Sequence, residues 1–186
     1  MKASAALALM LSAVASCSSP EPPIADSARF VMATGELPSE RTRWSVSPKG
    51  VGVVRIDMSL DSLASLLGPS FSVANSNGRA CASVRPSNMP AGVALLVVRD
   101  TVVRIDVASA NVLTEEGVGV GDSEVALLVM YAGFVRVEAH GPSAHTLVVS
   151  NPHGSPYILV FETDGSSVLR YRAGRRSITQ TAEHCG

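Results

Sequence analysis

Aromatic residues make up only 4% of this 186-residue chain, lysine occurs only as Lys2 and Lys49, and the formal net charge is −1. Charge this near neutrality gives no argument for nucleic acid, and so few aromatics weigh against the anchored interface of a tight-binding inhibitor. Beyond the N-terminal stretch, no apolar run reaches the roughly 20 residues that a membrane-crossing helix needs. There is no Gly-x-Ser-x-Gly elbow and no phosphate-cradling glycine loop, so two common enzyme chemistries have no foothold. Three histidines, His140, His145 and His153, sit near Glu138, but at no spacing that suits a helical metal pair. No metal and no cofactor are expected.

What the chain does have is hydrophobic pattern, in 46% of its residues, enough for one good core or two small fused units. The stretch 53–68 reads as a short strand, a capped helix and a stop. Ser59 stands where an N-cap belongs, Leu60, Leu63, Leu66 and Leu67 recur at helical spacing, and Gly68-Pro69 ends the run. The pattern returns 64 residues on, with Ser123 against Ser59 and Leu127 against Leu63. Asp57 and Asp61 flank the first helix start, where carboxylates ordinarily complement the helix dipole.

Strand-like runs follow each helix. The first set covers 71–74, 81–84, 93–98 and 102–107, with Arg104 and Asp106 alternating against Val103, Ile105 and Val107. The second covers 134–138, 146–149, 157–161 and 168–172, with Asp164-Gly165 as a hairpin turn. Val73 meets Val137, Val84 meets Val148 and Leu95 meets Leu159 at the same offset of 64. Two extra residues in the last hairpin then bring Arg104 against Arg170. The periodicity predicts two copies of one unit, 44–112 and 113–186, with Trp44 as an anchor where order begins.

Residues 1–16 carry a positive start and a short Leu/Ala/Val run, the pattern of an export signal. Val14-Ala15-Ser16-Cys17 resembles the bacterial lipobox, which implies cleavage before Cys17 and a diacylglycerol on its sulfur. Ala13-Val14-Ala15 also reads as an ordinary secretory cleavage site. With Cys17 lipidated, Cys81 and Cys185 are left to pair in an oxidising compartment, and no thiol remains for catalysis. Ser18 after the lipidated residue resembles the sorting habit of outer-membrane lipoproteins. Residues 17–43, with Pro20, Pro22, Pro23 and Pro38, read as a disordered tether reaching roughly 25–30 Å.

Ile56-Asp57-Met58-Ser59 followed by a helix closing in Leu67-Gly68 resembles the repeat unit of small SmpA-like envelope lipoproteins. The tandem β-lactamase-inhibitor proteins resemble it in architecture. The stretch 44–186, with Arg172-Ala173-Gly174-Arg175 and the ending Glu183-His184-Cys185, is similar to uncharacterised secreted or lipid-anchored bacterial proteins with two such units. Asp57 stands where that pattern has Gly, and Asp122 where it has Met.

These readings imply an α+β fold of two tandem helix-plus-antiparallel-sheet units, with the sheets able to run on as one and the helices on one face. The expected function is binding without catalysis: a lipid-anchored envelope assembly or scaffold factor at the outer membrane, facing the periplasm, with an envelope protein as partner. A proteinaceous inhibitor of a hydrolase is the alternative. Arg170, Arg172, Arg175 and Arg176 form the candidate anion or partner site, since guanidiniums close together can clasp a carboxylate or phosphate. Equally, they can pair with neighbouring acids such as Glu162 and Asp164.

Overall fold

The computed structural model of the chain describes residues 43–77, 81–140, 143–150 and 154–180, all within one compact unit spanning Glu36–Gly186. Its helices form where capping and leucine spacing coincide. The Ser59 hydroxyl accepts from the Ser62 N–H at 3.2 Å and opens α1 (Leu60–Leu67), which buries Leu63 and Leu67. Ser123 does the same for Ala126 at 3.1 Å and opens α2 (Glu124–Met130), which buries Leu127. A single turn, α3 (Arg176–Thr179), follows the last strand.

Strands account for the rest. Three of two residues each, β1 (Val46–Ser47), β2 (Gly50–Val51) and β3 (Val54–Arg55), make a small antiparallel sheet. Eight more, β4 (Phe71–Asn77), β5 (Cys81–Pro86), β6 (Val93–Val98), β7 (Thr101–Val107), β8 (Val135–His140), β9 (Ala144–Ser150), β10 (Tyr157–Thr163) and β11 (Val168–Arg175), form one antiparallel sheet. Its order is β4-β5-β6-β7-β11-β10-β9-β8, so the two four-strand runs meet where β7 pairs with β11, Ile105 opposite Ala173 and Asp106 opposite Arg172.

This architecture corrects the α+β expectation. The protein is mostly β, 48% strand against 16% helix, with two antiparallel sheets and three short helices among the described residues; a pattern of helix-plus-sheet units is not what it shows. The helices are real but short, at 8, 7 and 4 residues. Of the small sheet only β3 falls on an expected strand, the short one that opens the stretch 53–68; β1 and β2, at two residues each, leave no periodicity to read.

One core holds the molecule together. Trp44, Val46, Val51 and Val54 from the small-sheet region, Leu63 from α1 and Leu127 from α2 join Leu95, Ile105, Leu159, Phe161 and Tyr171 from the large sheet. Trp44 is buried, as its expected anchoring role requires, with the Arg43 guanidinium 5.4 Å above its ring. Phe161 stacks on Tyr171 at 5.2 Å. Burial pushes the Tyr131 and Tyr171 phenols up; Tyr131 donates to Thr114 Oγ1 at 2.8 Å and Tyr171 to the Val112 carbonyl at 3.0 Å. The other face of the large sheet carries a smaller cluster, Val148, Ile158 and Val160, and the charged residues described next. No helix of the described residues is long and apolar enough to cross a membrane.

Candidate functional site

Alternation along β7 and β11 turns Arg104, Asp106, Arg170 and Arg172 onto the face opposite the core, and β10 adds Glu162. Arg104 is fully buried: its Nε lies 3.0 Å from Asp106 Oδ1, and its Nη1 donates to the Ile178 carbonyl at 3.2 Å. Glu162 is clasped from two sides, by Arg170 Nε at 2.6 Å and by Arg172 Nη2 at 2.8 Å. Burial lowers the pKa of the Arg172 guanidinium from its ordinary value; the Glu162 charge works against that shift and the Arg104 charge with it.

Gly174 lets this cluster close. Its φ of 150° is a conformation side chains rarely adopt, and a Cβ there would meet the Val103 carbonyl at 2.5 Å and Thr179 Oγ1 at 2.9 Å. The glycine allows α3 to turn back over the sheet and present the Ile178 carbonyl to Arg104.

Beside the cluster lies a recess of about 300 Å³, whose lining includes Ser83, Arg85, Asp106, Arg170 and Arg172. Arg85, Arg170, Arg172 and Asp106 line it, and counting the ion-pair partners of these residues, Arg104 and Glu162, gives four guanidiniums against two carboxylates. Two positive charges are therefore left over. Arg170 keeps 61% of its side chain exposed and Arg85 is exposed, so that excess sits at the rim, open to an anion.

The four arginines expected to act together are thus divided. Arg170 and Arg172 meet over Glu162, whereas Arg175 pairs elsewhere, its Nε donating to Asp57 Oδ1 at 2.7 Å. Arg176 belongs to α3. Asp164 takes no arginine; its carboxylate accepts from the Ser167 and Ser166 N–H groups of its own turn, which hold its pKa down at about 2. Cys81 is disulfide-bonded, while Cys17, Cys185 and the signal and tether segments lie outside the described residues. Sequence reasoning missed Arg85 as a site residue and left Arg104 and Asp106 as a strand pattern. The correspondence of Arg104 with Arg170 was the available signal.

Asp57, expected beside the helix start, also has partners from the far end of the chain. It adopts φ 73° and binds Arg175 through one oxygen and the Tyr157 hydroxyl, at 2.6 Å, through the other. The Arg175 hydrogen bond holds its carboxyl below the usual range, with burial working in the opposite direction. In the other half of the sheet, His145 Nδ1 lies 2.8 Å from the buried carboxylate of Glu124, which also accepts from Thr163 Oγ1. His153 lies outside the described residues, as does the His140 side chain. No cluster of residues suited to a metal occurs among the described residues.

No family model matches the sequence, and no curated protein does. Among solved structures, the uncharacterized protein yfeY from Escherichia coli is similar at 17% identity, over 70% of this chain and 99% of that one, with a TM-score of 0.46. The likeness is distant and to an uncharacterised bacterial protein; it does not bear out the resemblance to SmpA-like tandem units. At this identity and score, nothing about function passes between the two chains.

Proposed function

We propose that the protein is a lipid-anchored binding protein of the bacterial envelope, facing the periplasm, that holds an anionic group of its partner in the arginine recess. The observation that carries this reading is the surplus of two guanidiniums in the recess lining and its ion-pair partners. Charge-assisted contacts from Arg85, and from the side of Arg170 that its bonds to Glu162 leave over, suit a carboxylate or phosphate. The role is that of a scaffold or assembly factor, with the lipid on Cys17 holding the protein at the membrane.

Titration calorimetry with inorganic phosphate and with acetate tests the recess. Saturable binding that weakens with salt, and weakens further in Arg85→Gln and Arg170→Gln, is the expected result; no binding to the unaltered protein would sink the reading. Arg172→Gln is not a suitable probe, because Arg172 is buried and holds Glu162. The anchor is tested separately: Cys17→Ser should release the protein from the membrane fraction, and a variant that still sediments with membranes would remove it.

A further inference from the structure

Among the described residues the large sheet ends in two edge strands, β4 and β8, and only one of them is bulged. On β4 the pairing with β5 shifts register between Ala74 and Ser76, and such a bulge twists an edge away from strand addition. On β8 the pairing with β9 runs without a break from Val135 opposite Val149 to His140 opposite Ala144. The Ser150 N–H donates to the Phe134 carbonyl at 3.0 Å. Given that register and the alternation of an antiparallel ladder, Arg136 and Glu138 spend their backbone groups on β9. The N–H and C=O groups of Val135, Val137 and Ala139 point outward.

The side chains along this edge are apolar as well. Val137 is 45% exposed, and α2, which precedes the strand, presents Val125 at 70% and Val129 at 72%. Met130 and Phe134 are about half exposed. Val137 shares a sheet face with its cross-strand neighbour Leu147, part of the same core that Leu127 of α2 enters. An exposed apolar patch beside a regular, unbulged edge strand marks a protein-binding surface.

We infer that this surface binds a second copy of the same chain, β8 against β8 in antiparallel register about a two-fold axis at Val137. The charges select that occupant. Centring the pair on Val137 sets Arg136 opposite Glu138 of the second copy, and Glu138 opposite its Arg136. Within one chain these two already form an ion pair at the surface, which the second copy extends into a four-membered cluster. The outward groups of Val137 then bond to those of the other Val137. Arg136 and Glu138 fall on the non-hydrogen-bonded positions, where Cα atoms are about 4.5 Å apart and side chains are closest. A two-fold interface requires this kind of self-complementarity. The product is a sheet of sixteen strands, twice the eight of one chain, with the apolar faces of the two α2 helices brought to the seam.

The test uses the full chain in mild detergent, with light scattering behind gel filtration to report protein mass. A mass twice that of the monomer is expected. Under oxidising conditions Val137→Cys should give a covalent dimer, and Ser72→Cys on β4 should not. Arg136→Glu should return the protein to monomer, and Arg136→Glu combined with Glu138→Arg should restore the dimer, because the exchanged pair is again self-complementary. A monomeric mass with no Val137→Cys cross-link overturns the proposal. So does a dimer indifferent to Arg136→Glu, a double variant no better than the single one, or a Val137→Cys cross-link to any other protein.

Discussion

The two longer helices begin alike and differ outside. Ser59 and Ser123 make the same capping bond, and Leu63 and Leu127, four residues after their caps, are both fully buried. The turn before each cap needs a positive φ, 73° at Asp57 and 93° at Gly121. Yet at the outward positions α1 shows Asp61 and Ser65 where α2 shows Val125 and Val129. The edge strands differ in the same sense: β4 is bulged, β8 is regular. Folding needs only the cap, the inward leucine and the turn, so whatever differs outside them is free to serve something else. On α2 it leaves Val125, Val129 and Met130 open together; on α1 Leu66 alone among the large hydrophobics is exposed.

The halves are also tied down differently. Cys81 and His145 occupy corresponding positions, the first disulfide-bonded and the second facing Glu124 at 2.8 Å. With Cys185 as the proposed partner, the bridge closes a loop of 104 residues (185 minus 81), and chain entropy then puts its stabilisation at about 4.7 kcal/mol. Reduction should therefore give the largest fall in melting temperature of any perturbation here. Two free thiols counted in denatured, unreduced protein would contradict the pairing.

Leu63→Ala and Leu127→Ala come next. Each removes a fully buried side chain, at a cost of about 2–5 kcal/mol. Because the sites correspond, the two losses should be similar when read from urea midpoints. A near-neutral effect at either would break the equivalence of the helices.

The turns offer a finer test. Gly121→Asp places a side chain at positive φ, which costs about 1–2 kcal/mol where no partner compensates. Asp57 carries the same backbone burden with Arg175 and Tyr157 bound to it. Its carboxyl is depressed, so its contribution is present above the unfolded-state value and lost as pH falls through the lower folded value. Asp57→Asn should accordingly flatten the acid limb of a melting-temperature profile and leave the neutral region comparatively level. An unchanged acid limb would show that the Asp57–Arg175 pair contributes nothing.

The smallest change in stability is expected outside α2. Val125→Asp with Val129→Ser gives that helix the residues α1 carries, and exposed substitutions usually stay within about 0.5 kcal/mol. The pair should weaken self-association while thermal unfolding hardly moves. A large loss of stability would mean that these valines pack within their own chain.

Much of the fold's local grammar is legible in the residues themselves. The runs at 93–98 and 102–107 correspond to β6 (Val93–Val98) and β7 (Thr101–Val107), and both serine caps close where spacing puts them. These features depend on neighbours within four residues, and side-chain period and cap chemistry report on that range. The weight of strand over helix did not follow, because β4, β5, β9, β10 and β11 run on past the apolar stretches that mark them, held by their neighbours' hydrogen bonds, and β1 and β2 are too short to carry a period. Nor did the joining of the four-strand runs through β7 and β11, which is a contact between distant segments.

The same division runs through the site. That Arg170 and Arg172 share a face follows from alternation on one strand. That they meet Arg104 and Asp106, while Arg175 departs to Asp57 118 residues away, is decided by which strands become neighbours. Asp57 in a glycine position signalled an unusual backbone, but its partners come from β10 and β11 at the far end of the chain. Burial made Arg104 structural and left Arg170 open at the rim. Two arginines of one sequence type acquired opposite roles because desolvation depends on what the folded chain lays over each of them.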